Sequence, residues 1–150
     1  MNKLISMVRE FMECGEQPIS NKLTDMSEER TNLRLDLIEE EFFELSMATI
    51  NNNHIEQRDA IADLIYVIIG FAHERGIADM VFGDLEKVHK SNMSKFCKTI
   101  DEAIESVNKY GLDGIKTYYR FNEKHNIYVI YRVSDHKILK SINYKPPEFL

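Results

Sequence analysis

Residues 34–48 read "RLDLIEEEFFELSMA", with Glu39, Glu40 and Glu41 in a row and Glu44 a helical turn further on, among Leu, Ile, Phe and Met. At about 100° per residue, Leu35, Ile38, Phe42 and Leu45 form an apolar stripe expected to face a core. Glu40, Glu41 and Glu44 fall on an adjacent arc shared with Leu33, Leu37, Met47 and Ala48. A solvated helix face does not ordinarily alternate acids with Leu and Met, so these three carboxylates are expected to point into a partly enclosed space. Glu39 lies elsewhere on the helix, near Ser46, and reads as surface. The stretch belongs to a helix expected from residue 27 to 50, capped by Ser27 or Asp25 and ended by the turn-forming "INNN".

A following helix, expected over 54–75 and stopped by Gly76, repeats the anomaly. Glu56, Asp59, Asp63, Gly70 and Glu74 share one stripe, while Leu64, Ile65, Ile68, Ile69, Phe71 and Ala72 cover the rest. Ionised carboxylates crowded into apolar surroundings are costly to desolvate, and they repel one another. A divalent cation resolves both problems. Hard oxygen ligands at i, i+3 or i+4 on facing helices suit Mg²⁺ or Mn²⁺, which keep waters and also bind phosphates. The competing reading is a solvated charge run with Asp63 paired to a Lys or Arg. It is preferred for Glu39, Glu56 and Glu74 taken singly, and the metal reading for Glu40, Glu41, Glu44 and Asp63 as a set.

Outward from this pair, residues 3–14 place Leu4, Ile5, Met7, Val8, Phe11 and Met12 at helical spacing, with Gly15 as a stop. Asp79 can open a fourth helix through "MVFGDLEKVHKSN", and Thr99 or Asp101 a fifth through Tyr110, ended by Gly111. After Gly114 the period changes. "IKTYYRF", "NIYVIYRV" and "KILKS" predict a small antiparallel sheet, with turns at "NEKHN" and "SDH". The expected fold is mainly α, a single domain with a helical core over 1–111, a β appendage over 115–142 and a proline-stiffened tail over 143–150.

Composition narrows the function. With 43% hydrophobic and 29% charged residues, the chain of 150 is globular rather than disordered. A net charge of −6 argues against nucleic-acid and anionic-membrane partners. Cys14 and Cys97 lie far apart and outside any CxxC or Cys/His cluster, so neither zinc nor a disulfide framework is expected. The longest apolar run, "IADLIYVIIGFA", is too short for a bilayer and contains Asp63, and the N-terminus lacks a signal-peptide pattern. A soluble cytoplasmic protein is expected. None of the five histidines has metal-site spacing, and GxGxxG, P-loop, GxSxG and HExxH are all missing from the sequence.

These residues carry a resemblance. "EEFFE" (Glu40–Glu44), followed by the acids within "DAIADLIYVIIG", resembles the EExxE and ExxD pair of the all-α nucleoside triphosphate pyrophosphohydrolases, the MazG-like superfamily. "VREFMECGEQP", "NLRLDLIEEEFFEL", "ADLIYVIIGFAHERGI", "VFGDLEKVHKSNMSK" and "KILKSINYKPP" are similar, in order, to its phosphoribosyl-ATP pyrophosphohydrolase-like branch. In one respect the chain departs from the pattern. Where ExxD wants Glu three residues before Asp63, it has Ala60, with Asp59 one position earlier; Glu56 with Asp59 is the alternative register.

The resemblance implies a MazG-like helical bundle that cleaves a nucleoside triphosphate between the α and β phosphates, with Mg²⁺ and possible use of Mn²⁺, as a homodimer or homotetramer. It makes Glu40 the candidate base, Glu41, Glu44 and Asp63 the metal ligands and Asp59 a further one, with the roles of Glu40 and Glu41 open to exchange. "HKSNMSK" supplies Lys90, Asn92 and Lys95 as candidate phosphate contacts. Phe11 and Gln17 are candidates to face the nucleobase, although Phe11 also reads as core, and Tyr66 shares the Asp63 side of its helix. Lys140 and Tyr144 fall in the tail, expected either to close over the site or to pack on the body. A second reading is a non-catalytic helical interaction protein that keeps the acids as a structural cation site. The Ala60 departure favours it.

Overall fold

Ser27 starts the longest helix: its hydroxyl accepts the backbone N–H of Arg30 and leaves the chain extended before it. In the computed structural model, which describes residues 3–149, this helix is α2 (Glu28–Ile50), preceded by α1 (Lys3–Cys14). Helix α3 (His54–Arg75) follows, capped by the Asn53 side chain and closed by Gly76 in the left-handed conformation at φ 73°. Gly76 has a second reason to lack a side chain, because a Cβ there would lie 1.9 Å from the Lys22 carbonyl oxygen. The loop before α2 runs along this helix end, with Ser20 N–H donating to His73 O and Thr24 N–H to Arg75 O. Asp79 lies in a 3-10 turn, Ala78–Met80, rather than opening α4 (Val81–Met93). Thr99 caps α5 (Ile100–Leu112), which runs through Gly111 instead of stopping there.

The chain forms two compact units, Met1–Val81 and Phe82–Leu150, so the division falls inside the span 1–111 read as one helical core. In the first unit α2 and α3 pack along each other and α1 packs on α3, with Ile5, Val8, Met12, Ala48, Ala60, Ile69 and Ala72 buried. His73 is buried as a structural residue, its Nε2 2.9 Å from the Ile5 carbonyl oxygen.

The inward face of α2 differs from the expected stripe. Leu35 and Phe42 are exposed, at 47% and 61%, while Arg34 and Ala48 are buried and Leu37, Ile38, Glu41 and Leu45 are half-buried. These six residues follow helical spacing and centre on Glu41. A helix packed on one neighbour buries a single arc. Here the arc is fixed by an ion pair that Arg34 makes with α3, so the stripe of largest apolar side chains is rotated to the flank.

In the second unit β1 (Thr117–Asn122) pairs antiparallel with β2 (Ile127–Arg132) in a register that sets Thr117 opposite Arg132 and Asn122 opposite Ile127. Helix α5 covers this hairpin over a core of Cys97, Ala103 and Ile130. The third strand expected at "KILKS" is reduced to one bridge, Tyr131 with Ile138, because the chain turns onto α4 almost at once. The tail packs on the body of this unit: Ser91 Oγ donates to the Lys145 carbonyl at 2.8 Å, and Lys145 N–H donates to Ser94 Oγ at 2.9 Å. Lys140 Nζ lies 4.2 Å from the Tyr144 ring centroid.

Candidate functional site

The centre of the inward α2 face is a carboxylate without a partner. Glu41 Oε2 is shut off from solvent and accepts no hydrogen bond. Burial pushes the Glu41 carboxyl above its ordinary range, and the charges of Asp63, Glu44, Glu40 and Asp59 push it further. The five acids proposed from sequence are therefore neighbours on the facing helices α2 and α3. Asp59 and Asp63 are among the charges that act on Glu41 and Glu56 is not, while Ala60 is buried at 2% exposed. No Lys or Arg among the described residues forms an ion pair with any of the five.

As they stand, the side chains are not closed around a point: among the described residues no three acidic, histidine or cysteine groups are gathered tightly enough to hold an ion. Like-charged side chains with nothing between them splay apart. The donor set nevertheless fits a hard divalent cation, since it is all carboxylate, spread over two helices, and includes a buried oxygen with no hydrogen-bond donor.

Beside the acids lies a cavity of about 420 Å³ entirely within the first unit. Val8, Met12, Leu37 and Val67 give it apolar walls, and Phe11, Tyr66, Gln17, Arg34, Gly70 and Asp63 complete the lining. Phe11 is not core. It is 56% exposed and meets Tyr66 edge-on, with ring centroids 5.7 Å apart and planes at 79°. Burial, and then the charge of Glu10, raises the Tyr66 hydroxyl above its ordinary pKa, so the ring is neutral at physiological pH. Asp63 belongs both to the cavity lining and to the acids around Glu41.

Sequence reasoning missed the charges that build the cavity wall. Glu74 is 4% exposed rather than a solvated surface acid. Arg30 grips it with a fork, Nε to Oε1 at 2.6 Å and Nη2 to Oε2 at 3.0 Å, while Arg34 Nε reaches Oε2 at 2.6 Å. Burial by itself would raise the Glu74 carboxyl, but the hydrogen bonds and charges of the two arginines outweigh it and hold the group below its usual range. Arg34, 5% exposed, also donates from Nη2 to Gln17 Oε1 at 3.0 Å. The available signal was an arginine between Leu33 and Leu35 on a helix facing an acid in an equally apolar segment.

Asn92, Lys95 and Lys90 belong to the second unit. Lys95 Nζ donates to Asn92 Oδ1 at 2.7 Å, and Lys90 and Asn92 are exposed along α4.

Two facing helices that present acids to one another agree with the resemblance to the MazG-like all-α superfamily. The chain belongs to the phosphoribosyl-ATP pyrophosphohydrolase family, whose family model matches residues 8–92. That span holds the cavity and all five acids and stops within "HKSNMSK", so Lys95 and the tail lie beyond it. The chain is also similar to an uncharacterized protein of Acanthamoeba polyphaga mimivirus, 38% identical over 93 residues. The similarity covers 57% of this chain and 36% of that relative, so the match spans little over a third of the relative's length. No helix among the described residues is long and apolar enough to cross a membrane.

Proposed function

We propose that the protein is a metal-dependent nucleotide pyrophosphohydrolase that splits a ribo- or deoxyribonucleoside triphosphate between its α and β phosphates. Family membership supports pyrophosphohydrolysis of a nucleotide-like substrate. The observation that carries the finer reading is Asp63, which stands at once in the lining of the aromatic cavity and among the acids around Glu41. A base held between Phe11 and Tyr66 would direct its phosphates toward those acids.

Glu41, Glu44, Asp63 and Asp59 would hold Mg²⁺ or Mn²⁺, which when bound offsets the triphosphate charge and polarises its oxygens. Glu41 suits the ligand role because its buried charge has no other partner. Glu40, exposed beside it, would accept the proton of the attacking water. Water contributes its oxygen to one product, the bond from phosphorus to the bridging α–β oxygen breaks, and nucleoside monophosphate and pyrophosphate leave.

The test is pyrophosphate release from a panel of nucleoside triphosphates with Mg²⁺, with Mn²⁺ and with EDTA. Metal-dependent turnover on at least one nucleotide is expected; folded protein that turns over none would point instead to the non-catalytic interaction protein.

The same reading includes a homodimer or homotetramer. Phe42 and Phe43, at 61% and 64% exposed, join Leu35, Ile61, Ile65 and Ile68 as apolar surface on α2 and α3. Large side chains left bare on adjacent helices mark an association surface. Light scattering at micromolar concentration is expected to give at least twice 17.6 kDa, and a monomer would remove this part of the proposal.

A further inference from the structure

We propose that the aromatic cavity selects bases carrying a ring carbonyl, as in hypoxanthine, guanine and uracil, over the corresponding amino bases, through donors presented by Arg34 and Gln17. The inference rests on the nucleotide reading above and adds the base class to it.

A fixed chain of hydrogen bonds sets the polarity of the cavity wall. Glu74 accepts Arg34 Nε at 2.6 Å and is itself clamped by Arg30, so the guanidinium cannot rotate freely. Arg34 Nη2 donates to Gln17 at 3.0 Å. A guanidinium has only donors, so the atom of Gln17 that faces it must be the oxygen. The Gln17 amide is thereby locked with Nε2 turned away from Arg34, and among the described residues Nε2 has no hydrogen-bond acceptor.

Arg34 Nη1 is likewise without an acceptor among the described residues, on a side chain 5% exposed. The space beside it exists because residue 70 is glycine: a Cβ there would approach Nη1 to 2.9 Å. Arg34, Gln17 and Gly70 all line the cavity. At Arg34 and Gln17 the wall therefore offers two sets of N–H groups without a protein acceptor, with Gln17 Oε1 already taking Arg34 Nη2, while the oxygens of Asp63 and Tyr66 belong elsewhere in the same lining. A carbonyl oxygen has two lone pairs and can take both donors, a ring nitrogen takes one, and an exocyclic amino group takes none and opposes them with its own hydrogens. In a desolvated site such a mispairing costs about ten- to a hundredfold in affinity.

Phosphate-free nucleosides isolate this claim from metal and from turnover. Matched pairs, inosine with adenosine and uridine with cytidine, are titrated onto the full chain by ligand-observed NMR without divalent metal. Inosine and uridine are expected to bind at least about tenfold more tightly than their amino partners. In Gln17→Glu the carboxylate keeps the Arg34 contact but replaces the free N–H₂ with an acceptor. That preference is expected to fall below about threefold or reverse, with the thermal midpoint unchanged. Equal affinity within both pairs, no binding of any of the four, or an unaltered ratio in Gln17→Glu would overturn the inference. Turnover of triphosphates without base preference would sink this inference and leave the hydrolase standing. Discrimination between nucleosides by a protein that hydrolyses nothing would do the reverse.

Discussion

Glu41→Gln is expected to lower pyrophosphate release by about a thousandfold or more while leaving the metal-free protein at least as stable as the wild type. The loss follows from removing a buried carboxylate oxygen that no described protein group satisfies, on the reading that a cation supplies several kcal/mol of charge stabilisation in the transition state. The stability gain follows from the same geometry. Glu41, half-buried with one carboxylate oxygen shut off from solvent, lies among Asp63, Glu44, Glu40 and Asp59, and its charge is disfavoured by burial and by those neighbours. Its neutral isostere removes that repulsion, worth on the order of 1 kcal/mol. Thermal melts provide a readout that a purely structural residue would not give. Mg²⁺ should raise the midpoint of the wild type by mass action and have little effect on the variant. Activity retained within tenfold, or an equal Mg²⁺ shift in both proteins, would remove Glu41 from the metal site.

The acids were legible in sequence because charge in an apolar segment is conspicuous whichever way the helix is rotated. The rotation itself was not legible. Leu35, Ile38, Phe42 and Leu45 satisfy helical periodicity as well as the real inward face does, and periodicity cannot say which of two apolar arcs meets the neighbouring helix. What decides it is a contact across the helix pair, Arg34 with Glu74, for which the local pattern carries no term. Phe11 fails for a related reason, since an aromatic at core spacing serves equally as the wall of a cavity, and only the presence of Tyr66 across from it shows which. The caps were different. Ser27, Thr99 and Gly76 act on their own backbone neighbours, so local sequence named Gly76 outright and narrowed each N-cap to two candidates, Ser27 or Asp25 and Thr99 or Asp101. "KILKS" has the composition of a strand, yet the tail contacts made by Ser91 and Ser94 draw the chain away after a single bridge.

Glu74→Gln is expected to cost about 3–5 kcal/mol of stability at neutral pH, because it leaves two arginines beside a group that no longer carries charge. Arg34 and Glu74 are 5% and 4% exposed, so solvent cannot screen the guanidinium that loses its partner. The pH dependence gives this prediction its sign. Glu74 is held below its unfolded value, so its stabilisation is fully present above the ordinary carboxylate range and is lost as pH falls through its lowered folded value. Glu41 has the opposite sign without a cation: its raised carboxyl penalises the fold as pH rises from the ordinary carboxylate range to its own value. Urea unfolding of wild type and Glu74→Gln across pH 3 to 7, in EDTA, should therefore show a gap that is widest at neutrality and narrows in acid, as the wild-type carboxyl itself becomes protonated. A gap that stays constant over that range would mean that the contribution of Glu74 is packing and not charge. Because Glu74 holds the guanidinium that orients Gln17, Glu74→Gln kept folded at low temperature should also lose its preference between inosine and adenosine. Retention of that preference would show that the Met12 and Gln17 contacts, rather than the ion pair, hold Arg34 in place.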